Sequence, residues 1–369
     1  MTQQDSGDFT LGVEEEYQIV DPATRALCQR VQPILDEADP SGGTVEAELR
    51  MSQVEIGTPV CKTLDDVRAA LARSRSEVIA AAATDGTLIG AAGTHPFSSW
   101  EDQSVTPKPR YLGLAQDHKQ IALEQIVFGF HVHVGIRDQE SAIQTMNRTY
   151  PWLGPMLALG STSPFWMGKD TGYASFRTDI WGRWPMAGTP GHFSSRAEYD
   201  ELMEVLVATG SIKEATKIYW DVRPSTRFDT LEFRVTDVCT TVEEAVMIAG
   251  LARGLAHRCH AAAVRSEAAP DVRPELVRAA KWHAARHGTE ATLIDIPNRT
   301  ARPAAEVIKE FLDFLRDSLE DLGDWDVVDA LVGAALERGT GAARQRRAYE
   351  RAGRLEDVVD LIVTETAGR

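Results

Sequence analysis

Residues 9–20 read Phe9-Thr10-Leu11-Gly12-Val13-Glu14-Glu15-Glu16-Tyr17-Gln18-Ile19-Val20, and this stretch decides the fold. Phe9, Leu11, Val13, Tyr17 and Ile19 share one parity, while Thr10, Gly12, Glu14, Glu16 and Gln18 share the other. A period of two predicts a strand with one apolar and one polar face. Asp21-Pro22 ends it as a turn. The polar face carries two carboxylates, Glu14 and Glu16, at i and i+2.

The pattern recurs twice. In residues 128–135, FGFHVHVG, Phe128, Phe130, Val132 and Val134 fill one face and His131 and His133 the other. In residues 230–235, TLEFRV, Leu231, Phe233 and Val235 oppose Glu232 and Arg234. Side chains at i and i+2 of a strand stand about 7 Å apart on one surface. If the three apolar faces pack on one helical layer, the acids, imidazoles and arginine converge on the opposite, concave side. Like charges gathered in this way need a cation between them or shift their pKa sharply. Carboxylate donors point to a hard divalent ion, Mg2+ or Mn2+. Each pair also has a plainer reading: solvated acids, a core histidine, or a cross-strand ion pair. A fourth segment, residues 45–59, places Glu55 between Val54 and Ile56 on a polar face. Glu48 has the opposite parity and reaches the same site only across a bulge or a break between strands; otherwise it is a solvated surface acid.

Outward from these strands, residues 64–84 read as a helix, capped by Thr63 with Asp66 three positions on and stopped by Asp85-Gly86. Residues 87–92 and 126–136 read as strands, 94–109 as a loop, and 218–236 as two strands about Pro224-Ser225. Helices before residue 126 and after Asp138 are weakly marked. Residues 160–193 are rich in Gly, Pro and Trp with little periodicity, and a long segment of that kind is usually functional. From Thr241 onward the text is helical, over residues 243–260, 274–286, 304–322, 327–338 and 342–354. The expectation is one α+β domain over residues 1–369: strand-rich from 8 to 237 with a mostly antiparallel β-sheet, and a helical C-terminal third, 241–369.

Composition narrows the function. The 369 residues are 43% hydrophobic and 25% charged, enough for a large core, and the net charge of −16 argues against nucleic acid as a partner. The four cysteines form no CxxC pair, which fits free thiols in a reducing compartment. The opening MTQQDSGDF has no basic–apolar leader pattern, and no run approaches the roughly 18 apolar residues of a membrane span. The expectation is a cytoplasmic protein acting on small molecules, with no membrane partner. HxH also opens amidohydrolase metal sites, but the later histidines, His257, His260, His283 and His287, lie in helical text.

The strings GVEEEYQIVD (12–21), QVEIGTPV (53–60), GTHP (93–96), GFHVHVG (129–135), FRTDIWGRWP (176–185), WDVRPS (220–225) and LEFRVTD (231–237) together resemble the type 2 glutamate–cysteine ligases, the YbdK-like carboxylate–amine ligases of the glutamine synthetase superfamily. The resemblance implies a curved sheet forming a half-barrel funnel covered by helices, ATP and Mg2+ (or Mn2+) as cofactors, and a possible homodimer. It implies that Glu14, His131 and Glu232 hold a metal at the ATP phosphates, and that Glu16, Glu48 and Glu55 hold one near the glutamate carboxylate. His133 and Arg234 then face the phosphates, with Arg223 and Arg227 as further anion ligands. The implied reaction joins the γ-carboxylate of glutamate to an amine, cysteine foremost, through an acyl phosphate. Other amine acceptors, and a non-catalytic relative that only binds metal or nucleotide, stay open. An acyl phosphate needs protection from water. Residues 161–193 are the candidate lid, with Arg177 and Arg183 as substrate contacts.

Overall fold

The computed structural model describes residues 9–39 and 42–369; the reading of residues 1–8 as free of a leader lies outside them. Seven strands form one mostly antiparallel sheet: β1 (Leu11–Val20), β2 (Thr44–Ala47), β3 (Gln53–Gly57), β4 (Leu88–Gly90), β5 (Gly129–Gly135), β6 (Val222–Pro224) and β7 (Thr230–Asp237). Their order is β6-β7-β5-β1-β3-β2, and β4 pairs with the end of β1 beyond β3. The long first strand is therefore central, and its register aligns the rest.

The apolar faces behave as the alternation predicts. Leu11, Val13, Phe130, Val132, Val134, Leu231 and Phe233 are all buried in one core. Helices cover that face: α1 (Leu64–Thr84), α2 (Gln139–Thr149), α3 (Leu153–Leu159) and α4 (Val242–Val264). The Thr63 capping box forms as expected, and Thr241 with Glu244 forms a second one at the start of α4. Behind them lie α5 (Pro274–His287), α6 (Ala304–Leu322), α7 (Trp325–Arg338) and α8 (Gly341–Ala352), and α9 (Leu355–Thr366) packs against β4.

Three features depart from the expectations. Helix α9 is absent from the sequence reading because LEDVVDLIVTET is rich in β-branched residues; tertiary packing overrides that propensity. Ile362 meets Gly90 of β4, and the Thr366 hydroxyl accepts from Ala91 N at 2.9 Å. Residues 292–303, unassigned from sequence, form a hairpin of two four-residue strands. The irregular 161–193 stretch contains a short helix, Phe176–Trp181, and much of it is buried. Its base is pinned by Asp237, whose carboxylate accepts from Thr162 N (2.8 Å), Ser163 Oγ (2.6 Å) and Ser175 Oγ (2.7 Å).

One acid lies on the apolar side. Glu15 is fully buried between the two outward-facing glutamates and is held by Arg75 of α1, Oε2 to Nε 2.9 Å and Oε1 to Nη2 2.5 Å, and by the Tyr17 hydroxyl. Arg75 also donates to the carbonyls of Cys239 and Thr240, tying α1, β1 and the start of α4 together. Removing one partner of such a pair leaves an uncompensated charge in the core. Arg75→Ala is expected to cost about 3–5 kcal/mol of unfolding free energy, and Glu15→Leu with Arg75→Met to recover most of it. Urea denaturation measures both; a loss under about 1 kcal/mol for Arg75→Ala contradicts the role given to the pair.

Candidate active site

Strand register turns the sequence pattern into a site. Glu14 on β1 stands opposite His131 on β5, and Glu16 opposite Glu55 on β3. His133 stands opposite Glu232 on β7, and Glu232 opposite Arg223 on β6. All of these face the side of the sheet away from the helical core. They line a cavity of about 400 Å3 whose walls also include Glu48, Arg227 and Arg234. Glu48 enters through a break: β2 ends at Ala47 and β3 begins at Gln53. Its carboxylate is fixed by the Tyr111 hydroxyl at 2.6 Å. The break is anchored by buried Arg50, which donates to the carbonyls of Gln103 (2.7 Å), Gln125 (3.0 Å), Ala122 and Leu123.

Two sets of donor atoms lie within 4.8 Å of one another: Glu14 with His133 and Glu232, and Glu14 with Glu55 and His131. Glu14 is common to both. The grouping implied by the resemblance differs, since it pairs Glu14 and Glu232 with His131. Register explains this: His133, not His131, is the cross-strand neighbour of Glu232. Glu16 and Glu48 line the cavity but belong to neither close group.

The electrostatics follow from burial. Burial favours the neutral form of Glu14, yet hydrogen bonds to His131 and His133 overcome this and hold its carboxyl well below the usual range. Burial pushes His131 down to about 4, and Arg234 adds to the effect, so the imidazole is neutral near pH 7. His131 Nδ1 lies 3.0 Å from Glu14 Oε2 and 3.4 Å from Arg234 Nη1. The shorter contact assigns its proton toward Glu14, which leaves Nε2 as a lone pair. That atom is buried without a hydrogen-bond partner, while His133 Nε2 lies 3.4 Å from Glu14 Oε1. His133 Nδ1 meets Thr230 Oγ1 at 2.9 Å. Glu232 is held low against its burial by Arg234 and Arg223. Glu16, by contrast, is pushed up to about 7 by burial and by the charge of Glu48. Glu55 is raised too, by burial and by Glu48, Glu14 and Glu16. Several carboxylates and two imidazoles in one hollow, with His131 Nε2 unpartnered, are the donor set of a hard or borderline divalent ion, so the residues present fit Mg2+ or Mn2+.

The arginines divide. Arg223, Arg227 and Arg234 reach the cavity. Arg177 is buried and comes against the polar face at Gly129, where its Nη2 sits 2.5 Å from the position a Cβ would take, so a side chain there would displace the guanidinium. Arg183 is exposed and paired with Glu124 at 2.5 Å, outside the cavity lining. Trp181 and Trp184, from the candidate lid, reach the wall, while sequence reasoning missed Arg110, Tyr111, Tyr219 and Phe228, which also line it. The only signal of the three aromatics was their apolar bulk, which core residues share, and Arg110 carried none. The conspicuous His95 of the GTHP string is structural: its Nε2 meets Arg25 O at 2.9 Å and its Nδ1 accepts from Ser98 N at 3.0 Å.

The raised carboxyls set a pH dependence. Unfolded, Glu16 and Glu55 ionise near 4.5; folded, they hold their protons to higher pH. The folded state binds more protons between those values, so metal-free stability falls as pH rises from about 4.5 through about 7. Glu55→Gln removes one like charge and is expected to stabilise the metal-free protein at pH 8 by at least about 1 kcal/mol, with little effect at pH 4. Thermal unfolding in chelator measures this; equal effects at both pH values contradict the repulsion.

Comparison with known proteins gives a consistent placement. The chain matches the glutamate–cysteine ligase family 2 over residues 10–361. It is 40% identical over 359 residues to a Herpetosiphon aurantiacus protein named "Putative glutamate--cysteine ligase 2", covering 97% of this chain and 93% of that one. The fold is shared with a bifunctional glutathione synthetase from Pasteurella multocida (TM-score 0.72, 17% identity, 98% of this chain), of whose length the chain spans about half, 53%. It is shared also with a glutamate–cysteine ligase from Francisella tularensis solved in complex with AMP (TM-score 0.70, 12% identity, 98% of this chain and 88% of that one). The seven-stranded sheet with its helical cover is thus the fold of these two enzymes, and the chain belongs to the glutamate–cysteine ligase family 2.

Proposed function

We propose that this protein is an ATP-dependent carboxylate–amine ligase that activates the γ-carboxylate of glutamate and transfers it to an amine, with cysteine the first acceptor to test. The observation that carries the reading is the pair of donor groups sharing Glu14, set on the polar face of the sheet beside Arg223 and Arg234. Family membership and the named activity of the relatives support it.

In the first step a γ-carboxylate oxygen attacks the γ-phosphorus of ATP, the bond to the β–γ bridging oxygen breaks, and ADP leaves. In the second, the amine nitrogen attacks the acyl carbon, phosphate leaves with the acyl C–O electron pair, and the amine loses a proton. The first step brings anions together: one pair of unit charges at about 4 Å repels by about 4 kcal/mol at an effective dielectric near 20. Bound Mg2+ or Mn2+ would supply charge neutralisation at the phosphates, held by Glu14, His131, His133, Glu55 and Glu232, with Glu16 and Glu48 as further carboxylates. Arg234 and Arg223, fixed by Glu232, present guanidinium groups to the transferring phosphoryl oxygens, and Arg227 extends the cationic rim. Arg177, packed against the Trp181 ring at 5.7 Å, adds positive charge beside Glu16. Residues 161–193 bring Trp181 and Trp184 to the cavity wall and serve in this reading as the cover that limits water at the acyl phosphate. Arg183, tied to Glu124, is left as a surface contact.

The test is ADP release with glutamate and a panel of amino acids and amines, with product mass measured. The expected result is turnover dependent on ATP, glutamate and one class of amine, lowered at least about 100-fold in Glu14→Gln with the fold intact by circular dichroism. ATP binding without ADP release across the panel, or near-normal turnover in Glu14→Gln, contradicts the proposal.

A further inference from the structure

Of the large apolar side chains left exposed among the described residues, one lines the cavity on the sheet: Phe228, 59% exposed. It stands at the tip of the hairpin between β6 and β7. Hydrogen bonds fix the tip. Ser225 Oγ accepts from the backbone amides of Arg227 and Phe228, both at 3.3 Å. Ser225 N donates to Thr230 O at 2.9 Å, and Thr230 N to Phe228 O at 2.8 Å. Ile136 N, just past β5, donates to Asp229 O at 2.9 Å and ties the tip to the sheet. A phenyl ring held out in this way leaves apolar surface in water, against the tendency that gathers aromatics in the core. Its ring contact is T-shaped, with His133 at 5.9 Å and 90°.

Strand register shows what lies beside the ring. Glu232 on β7 stands opposite His133 on β5, and His133 opposite Gly12 on β1. Thr230, one step nearer the tip, meets His133 Nδ1 with its hydroxyl at 2.9 Å. Arg234, Glu232, Thr230 and Phe228 therefore succeed one another along one wall, from buried through half-buried to exposed. Within the strand, side chains at i and i+2 are about 7 Å apart. Across the sheet at the level of His133 the polar face is bare: Gly12 has no side chain, and a Cβ there would meet nothing nearer than His133 Cβ, at 3.6 Å. The packing thus has room for a side chain that the sequence does not supply. Arg227, also on the tip, is exposed and in no ion pair among the described residues.

We infer that Phe228 is the platform on which the base of the nucleotide stacks, a specificity-determining contact that rests on the ligase reading above. In that reading Arg223, Arg234 and His133 face the phosphates. Arg223 and Arg234 stand on the two strands that the hairpin joins, and His133 touches the Phe228 ring, so the remainder of a nucleotide held there is led toward the tip. Stacking on an aromatic ring uses the π-face that every base has and removes apolar surface of both partners from water. Arg227 on the same tip supplies a cation for the phosphate chain. Trp181, Trp184 and Tyr219 also line the cavity, but they pack on one another with centroids 5.3–6.0 Å apart and are already partnered, whereas most of the Phe228 ring is open.

Isothermal titration calorimetry of the full chain in Mg2+ tests this with two probes: a non-hydrolysable ATP analogue, and inorganic tripolyphosphate, which keeps the phosphates and lacks the base. The wild type is expected to bind the analogue more tightly than tripolyphosphate. Phe228→Ala is expected to weaken the analogue at least about tenfold and to leave tripolyphosphate within about twofold. Phe228→Tyr, which keeps the ring, is expected to hold wild-type affinity for both, and Phe228→Leu, which keeps only apolar bulk, to resemble Phe228→Ala. The side chain is exposed, and circular dichroism checks that each variant keeps the fold. Wild-type affinity for the analogue in Phe228→Ala overturns the inference and leaves the ligase reading standing. Equal weakening of both probes does the same, since it assigns the ring to the phosphates through His133. So does a wild-type dimer that Phe228→Ala splits in sedimentation with nucleotide affinity unchanged, which assigns the ring to a second copy. Binding of neither probe by the wild type removes the ATP reading and the inference together.

Discussion

Everything in the site depends on keeping negative charge concentrated on one face of a sheet. Seven glutamates and two histidines line a common hollow in a chain that is already strongly acidic. Two groups of them are quiet: Glu14 is held by imidazoles and Glu232 by a pair of arginines. The third is not: Glu48 accepts from the Tyr111 hydroxyl and Glu16 from the Gly129 amide, yet burial and repulsion raise Glu16 and Glu55 together. Such a cluster is unfavourable by itself and becomes favourable when a divalent ion enters. The fold thus carries at its centre a local repulsion that a bound divalent cation would relieve.

The scaffold that holds this charge in place is built from buried arginines. Arg75 fixes the central strand to α1 through Glu15, on the opposite face from the site. Arg50 closes the break that lets Glu48 turn inward, using only backbone carbonyls. Arg223 and Arg234 flank Glu232 on the floor itself. Arg75 and Arg50 join segments far apart in sequence, so the polar face is held by long-range polar ties as well as by the apolar core beneath it.

The parts legible in sequence were those governed by period. Strict alternation in β1, β5 and β7 placed Glu14, Glu16, His131, His133, Glu232 and Arg234 on one face, and the register bears that out. The parity conflict of Glu48 pointed to a break between strands, and one exists between Ala47 and Gln53. Partner choice was not legible: which histidine faces Glu232 depends on a register that alternation alone leaves free. Glu15 escaped notice because its partner, Arg75, lies on another element. The aromatic outer wall and helix α9 escaped for a related reason, since composition carries no direction and β-branched text obscures a helix that packing stabilises.

The most direct measurement is electron paramagnetic resonance of Mn2+ titrated into the protein with a non-hydrolysable ATP analogue. The account predicts at least one bound Mn2+ per chain, with the free-ion signal suppressed by the wild type and restored when Glu14→Gln and Glu55→Gln are combined. A free Mn2+ signal untouched by the wild type, or equally suppressed by the double variant, would contradict the claim that this face of the sheet exists to hold a divalent cation.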